Sequence, residues 1–344
     1  MGSLRLSARA ARHSSAFALP LILALAACGG EDDTSPLDEP NGTGGTGGPS
    51  ATGGAVGQPG GSSSGGATGG APSNTGGAGQ ATGGMDSGGG PDVECTRELL
   101  DGLLDDYFAA LAAGDPSSLP LAPQVKFTEN AEVTPIGATA FWMNAGDTKY
   151  SQRALDTAQC SVAAQAVIPE GGVDLPVGIR LKAERGEITE IETIVVRPGD
   201  YTASFAVESN PAAIITIAGE IGWHDPVPEG QRATREELIG WVDKYFRAFP
   251  AGVCDVTPAC RRLENGGGNF SCSTGASCTS SPGGDAFVPR VILADEERGI
   301  AAGFTIFDFQ TTGHLDMHMI KMSGGQVHAV QAILRDTNGE SGWD

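Results

Sequence analysis

Carboxylates, histidines and tyrosines able to move a proton gather at a few places in this chain. Glu129-Asn130 and Glu264-Asn265 are the same pair met twice. A carboxyl held in apolar surroundings has its pKa pushed toward neutrality, as acid/base work requires, and a neighbouring amide can orient a ligand. The plainer role for the pair is to satisfy backbone groups at the entry to a strand. Tyr107 and Tyr245 fall on the apolar side of two amphipathic stretches, where a hydroxyl can donate into a cup or simply finish a core. His314, Asp316 and His318 alternate, so all three project from one face of a strand while Leu315, Met317 and Met319 project from the other. Two histidines and a carboxylate are a metal-ligand set, but the Leu/Met face is the better one to pack on helices. That predicts a solvent-side His/Asp face and no metal. Asp308, on the same side of its strand as Phe304 and Ile306, is then the preferred lone acid. No serine elbow, metalloprotease helix, phosphate loop or dinucleotide fingerprint occurs, which disfavours covalent hydrolysis and predicts no cofactor.

The elements that must position these groups occur in duplicate. TRELLDGLLDDYFAAL at 96–111 returns as TREELIGWVDKYFRAF at 234–249, 138 positions later. Leu100, Leu103, Leu104, Tyr107, Phe108 and Leu111 recur at spacings of three and four, as do Leu238, Trp241, Val242, Tyr245, Phe246 and Phe249, which predicts two amphipathic helices. Thr96 caps the first, and Thr234 with Glu237 forms a capping box for the second. Strands are predicted near 161–168, 177–184 and 187–197, and again near 288–294, 301–310, 313–322 and 326–335, with turns at Arg185-Gly186 and Gly324-Gly325. Gly186-Glu-Ile-Thr-Glu-Ile matches Gly325-Gln-Val-His-Ala-Val at an offset of 139, so helices and strands repeat at nearly one interval. The fold class expected is α+β: tandem cone-shaped units, each an N-terminal helix packed on a curved antiparallel sheet. The expected divisions are 1–27, 28–94, a first unit at 95–200, a bridge at 201–233 and a second unit at 234–344.

A helical stretch followed by long, curled strands resembles the nuclear transport factor 2-like cone, also called SnoaL-like or ketosteroid-isomerase-like. The phrases DDYFAAL, LPLAPQVKFTEN, ITEIETIVVR, RLENG and DEERG are similar to a secreted, functionally uncharacterised family built from two such cones. The resemblance runs from about Cys95 to Arg335 and implies a cup; it says little about chemistry, because such cones serve isomerases, dehydratases, cyclases and plain binding modules.

Six cysteines follow Cys28: Cys95, Cys160, Cys254, Cys260, Cys272 and Cys278. An even count in an exported chain predicts disulfides. Pairing within each unit joins Cys95 to Cys160 and leaves three arrangements open for the other four; the spacings are too wide for an ordinary zinc site.

Arg5, Arg9 and Arg12 precede an apolar run from Phe17 to Ala27 that is too short to span a bilayer comfortably and has the layout of an export signal. It ends in Leu25-Ala26-Ala27-Cys28, which resembles a bacterial lipobox with Cys28 as the lipidated residue. An outer-membrane or cell-surface anchor is expected. Residues 29–94 are Gly, Ser, Thr, Ala and Pro with almost no aliphatic side chains, a composition that predicts a disordered tether. The formal charge of −21 makes nucleic acid an unexpected partner. Together these readings predict a tethered lipoprotein whose tandem cones bind a small, largely apolar molecule. Tyr107, Asn130, Tyr245 and Asn265 are the candidate ligand contacts. The alternatives are an acid/base enzyme using Glu129, Glu264 or Asp308, and a pocketless scaffold for another protein.

Overall fold

The computed structural model describes residues 93–203, 206–248, 256–272, 287–309 and 312–343, all within one compact unit, Thr82–Asp344. The leader, Cys28, the glycine-rich stretch, Cys254, Cys278 and the side chain of Asp308 lie outside the described residues. None of the described helices is long and apolar enough to cross a membrane.

The two repeated stretches are helices. In α1 (Arg97–Ala113) the Thr96 hydroxyl accepts from the Leu99 N–H, and Gly114 ends the helix at a φ of 64°, a left-handed turn that glycine enters without a steric penalty. In α4 (Arg235–Ala248) the Glu237 carboxylate accepts from the Thr234 N–H at 2.7 Å while the Thr234 hydroxyl accepts from the Glu237 N–H at 3.2 Å, a reciprocal capping box. Leu103 and Trp241, at equivalent places, are both buried against their unit's core.

Each helix serves a six-stranded sheet. The first contains β1 (Leu121–Glu129), β2 (Glu132–Val133), β3 (Tyr150–Asp156), β4 (Ser161–Glu170), β5 (Val173–Glu184) and β6 (Glu187–Val195) in the order β2-β1-β6-β5-β4-β3. The second contains β7 (Val256–Glu264), β8 (Gly267–Ser271), β9 (Val291–Asp295), β10 (Ile300–Phe309), β11 (Thr312–Ser323) and β12 (Gln326–Thr337) in the matching order β8-β7-β12-β11-β10-β9. The β1/β6 and β7/β12 pairs are parallel; the other pairings are antiparallel, so the sheets are mixed rather than purely antiparallel. The architecture is α+β with two tandem units. Registers repeat with the sequence: Ile179 faces Thr193 in the first sheet, and His318 faces Ala332 in the second.

Two helices lie outside the repeat pattern. α2 (Ala140–Asn144) is a single turn, too short to show periodicity, and plugs the first sheet with Phe141 and Trp142. α3 (Pro211–Ile221) fills part of the bridge; its Asn210 cap, Pro211 at the first position and left-handed Gly222 are ordinary start and stop signals. The Cys95–Cys160 disulfide ties the entry of α1 to the turn between β3 and β4, and Cys260 pairs with Cys272 across β7 and β8.

Apolar side chains collect in three places. One core lies under α1 inside the first sheet and a second under α4 inside the second. The third lies between the sheets, where Ala163, Val167 and Ile194 meet Leu315, Met317 and Ile333. The close approach there depends on Gly178, since a β-carbon at that position would come within 2.9 Å of the Met317 sulfur. Across the same contact Gln165 donates from Nε2 to the carbonyls of Met317 and Gln331, both at 2.9 Å.

The units also exchange arginines. Arg97 at the start of α1 makes a two-pronged contact to Asp295 of β9, at 2.7 and 3.1 Å, and Arg235 at the start of α4 does the same to Asp156 of β3, at 2.7 and 2.8 Å. Both aspartates are buried, and each accepts a further 3.0 Å bond from the opposite unit, Asp295 from the Leu155 N–H and Asp156 from the Ala294 N–H. Charge-assisted bidentate pairs of this kind are among the stronger and more directional polar contacts.

Candidate functional site

The interior of the first unit is lined with apolar side chains. Phe127, Phe141, Trp142, Leu175, Val177 and Ile179 are all buried there. The Tyr107 ring meets Trp142 edge-on at 5.5 Å, and its hydroxyl is hydrogen-bonded to the Thr193 hydroxyl at 3.0 Å, which satisfies it. Glu129 is buried at the end of β1, with Oε1 3.6 Å from the Arg197 guanidinium and no hydrogen-bond partner for Oε2 among the described residues. Burial raises its carboxyl above the usual range, against the opposing pull of Thr139 and Arg197.

The second unit uses the same backbone and different side chains. Register places Arg262 where the first unit has Phe127, each facing a strand neighbour that is itself conserved in the repeat, Val330 and Ile191. His314, Asp316 and His318 stand in the positions of Leu175, Val177 and Ile179. They face inward. His318 is 2% exposed and Asp316 0%; the His318 ring lies 5.2 Å from Tyr245, 5.2 Å from Phe246 and 6.1 Å from Phe307. The expectation of a solvent-side His/Asp face is therefore wrong. The reason is physical: Leu315 and Met317 are taken up by the contact between sheets, so both faces of β11 are buried, and alternation no longer distinguishes inside from outside.

His318 and Asp316 form a pair, Nδ1 to Oδ1, at 2.5 Å. Among the described residues neither His318 Nε2 nor Asp316 Oδ2 has a hydrogen-bond partner, a costly condition for buried polar atoms. Around them stand Glu264, in contact with Arg262, and Tyr245, whose hydroxyl lies within the field of the same guanidinium. Burial raises the carboxyls of Asp316 and Glu264, opposed in Asp316 mainly by His318 and in Glu264 mainly by Arg262. His314 is bonded through Nδ1 to Asp336 at 2.9 Å and meets the Tyr201 ring edge-on at 5.5 Å, which brings the bridge segment to the rim. Among the described residues no group of three or more His, Cys, Asp or Glu side chains is placed to hold a metal ion.

Glu264 and Tyr245 are thus brought to the pair by the fold, while Glu129 and Tyr107 sit in the first unit. The asparagines serve the backbone in both units. Asn130 and Asn265 adopt left-handed conformations, with φ of 54° and 50°, and their N–H groups bond to the carbonyls of Thr193 and Ala332, both at 2.8 Å. The Asn130 amide oxygen accepts from Val195, and the Asn265 amide exchanges two bonds with Leu334. Their amides hold a parallel strand pair together, the backbone role weighed against ligand contact in the sequence. Arg262, Tyr201 and Asp336 were not candidates from sequence; laying one copy of the repeat on the other, residue by residue, exposes the Phe127-to-Arg262 and Val177-to-Asp316 exchanges.

A family described only as a domain of unknown function, DUF8021, matches residues 231–334, which is the second unit. No curated protein matches the chain. Among solved structures, a putative polyketide cyclase from Silicibacter sp. TM1040 is 18% identical, with a TM-score of 0.24, over 29% of this chain and 90% of its own. A steroid delta-isomerase from Pseudomonas aeruginosa is 20% identical, with a TM-score of 0.23, over 29% of this chain and 80% of its own. Neither likeness extends an activity or a substrate to this chain.

Proposed function

We propose that the second unit is an acid/base centre acting on a small, largely apolar molecule, and that the first unit is its scaffold. The observation carrying this reading is the buried Asp316–His318 pair, whose Nε2 has no partner among the described residues, inside an aromatic cage. When Asp316 is ionised, Nδ1 carries the proton bonded to it and Nε2 offers its lone pair, the arrangement of an oriented general base. Arg262 and Tyr245 supply positive charge and a hydroxyl beside it, suited to a developing oxyanion. Isomerisation, dehydration and cyclisation that begin by removing a proton beside a carbonyl can use a base and an oxyanion stabiliser of this kind. Binding without turnover is the second reading, favoured by the aromatic cage alone.

The test is solvent-deuterium exchange into the acidic C–H positions of a panel of cyclic ketones and enones, followed by proton NMR. Exchange faster with the wild type than with His318→Ala supports the proposal; equal rates across the panel refute it. Native mass spectrometry for a retained ligand serves the binding reading.

The leader and the Leu25-Ala26-Ala27-Cys28 sequence support an exported protein anchored through lipid on Cys28, with the glycine-rich stretch as tether. The two disulfides among the described residues are in keeping with an oxidising compartment. Globomycin sensitivity of processing, and its loss in Cys28→Ala, checks the anchor.

A further inference from the structure

A second cluster lies away from the aromatic cage. Residues 220–228 of the bridge and the far ends of β7, β11 and β12 enclose a groove of about 420 Å³, within the size range of small-molecule sites. Lys321, on the same face of β11 as Met317 and Met319, is 6% exposed and lines this groove. Its ammonium donates to the carbonyls of Asp225 at 2.8 Å and Arg298 at 2.6 Å. An ammonium has three donors and two are used here, so one remains for a ligand; the Asp225 and Asp295 carboxylates also act on its charge, and the Arg298 guanidinium opposes them. Ser323 and His328 line the same groove, with His328 Nε2 2.8 Å from the Ser323 hydroxyl and 3.2 Å from the Ser323 carbonyl. With the proton on Nε2 the ring donates to the Ser323 oxygens and the Ser323 O–H is left to donate outward; with the proton on Nδ1 the hydroxyl donates to Nε2 instead. Arg261 also lines the groove, paired with Glu220 at 2.6 Å where both are substantially exposed.

We propose that this groove is an oxyanion-binding site in which the Lys321 ammonium and the Ser323 hydroxyl hold a carboxylate or phosphate group of a small molecule. It is separate from the Asp316–His318 centre and does not depend on that reading. A bound anion takes the third ammonium donor in competition with the nearby Asp225 and Asp295 carboxylates, and charge-assisted bonds of this type are the stronger ones. Burial pushes the Lys321 ammonium down to about 8, so the site is charged at neutral pH and loses its charge in mild base.

The experiment is isothermal titration of the full chain with inorganic phosphate and, separately, with acetate. The wild type is expected to show saturable binding to at least one of them. In Lys321→Met the affinity is expected to fall roughly ten- to a hundred-fold, the range for a lost bond to a charged group. The wild-type affinity is expected to weaken as pH rises through about 8. Ser323→Ala, which removes no charge, tests the site should Lys321→Met unfold, and is expected to weaken binding by several-fold. Preference for phosphate over acetate, or the reverse, identifies the class of anion. Absence of saturable binding to both anions, or binding unchanged in Lys321→Met and Ser323→Ala, overturns the proposal.

Discussion

His318 of β11 and Ile179 of β5 occupy one position of a repeated strand, each facing the counterpart of the other's partner on both sides: Gly303 and Ala332 for His318, Ala164 and Thr193 for Ile179. One copy completes an apolar core; the other holds a buried imidazole bonded to Asp316. The two units therefore share a backbone and differ in chemistry, and the first is an internal control for the second.

Restoring the first unit's side chains should separate stability from activity. Replacing a buried polar pair by apolar residues of similar size is often neutral or stabilising, by up to about 4 kcal/mol. Asp316→Val with His318→Ile is expected to be at least as stable as wild type in urea unfolding while losing deuterium exchange. His318→Ala alone leaves Asp316 buried without its partner and is expected to cost about 3–5 kcal/mol.

The raised carboxyl of Asp316 carries a pH signature. A group whose folded pKa lies above its unfolded value favours the fold when protonated, so its contribution is complete below the unfolded value near 4 and is lost as pH rises through the folded one. Asp316→Asn, which cannot ionise, should gain on the wild type in unfolding free energy as pH is raised above about 4. A constant difference across that span would contradict the burial of an ionisable group there.

Lys321 predicts the opposite slope in base. Its folded pKa is depressed to about 8, below an unfolded value of roughly 10.4. Between those values the unfolded chain binds more protons, so stability should rise with pH. The wild-type melting temperature, compared with that of Lys321→Met, is expected to climb between about pH 8 and pH 10.

The Cys95–Cys160 disulfide closes a separation of 65 residues. Cross-linking a loop of that size restricts the unfolded chain by roughly 4 kcal/mol in the chain-entropy account. Cys95→Ser with Cys160→Ser should lower the unfolding free energy by about that amount, and the same substitutions should make the remaining transition less sensitive to reductant.

The exchanged arginines should behave as a matched set. Each removes an ion pair to a fully buried aspartate, but the arginines themselves are about a quarter exposed, so solvent softens the loss. Arg97→Ala and Arg235→Ala are each expected to cost toward the low end of the roughly 3–5 kcal/mol for breaking a buried pair. Guanidinium unfolding of both variants, and of the double variant, measures whether the two contacts act independently.

Local features were legible because their causes are local. The spacing of Leu100, Leu103 and Leu104 defines a helix, Thr96 and Thr234 start one, and the turn at Arg185-Gly186 follows from two consecutive positive-φ residues, at 53° and 82°. The parallel pairing of β1 with β6 joins segments some sixty residues apart and leaves no local mark. The direction in which β11 faces depends on another sheet altogether: Met317 packs against Gly178, and nothing near residue 317 announces that partner. The polar interior became visible only when the two copies were compared with each other, because an Asp or a His on a strand has no orientation until both neighbours of the sheet are known.

The crossed arginines have a consequence for how the chain is made. Arg97 and Asp295 are separated by 198 positions, and a ribosome emits about 5–20 residues per second. The first helix is therefore synthesised about ten seconds or more before its acidic partner exists. During that interval a nascent first half exposes the sheet face that later meets Met317, and a neighbouring nascent chain offers the same face. Until the second sheet is in place, that apolar face has no partner within its own chain.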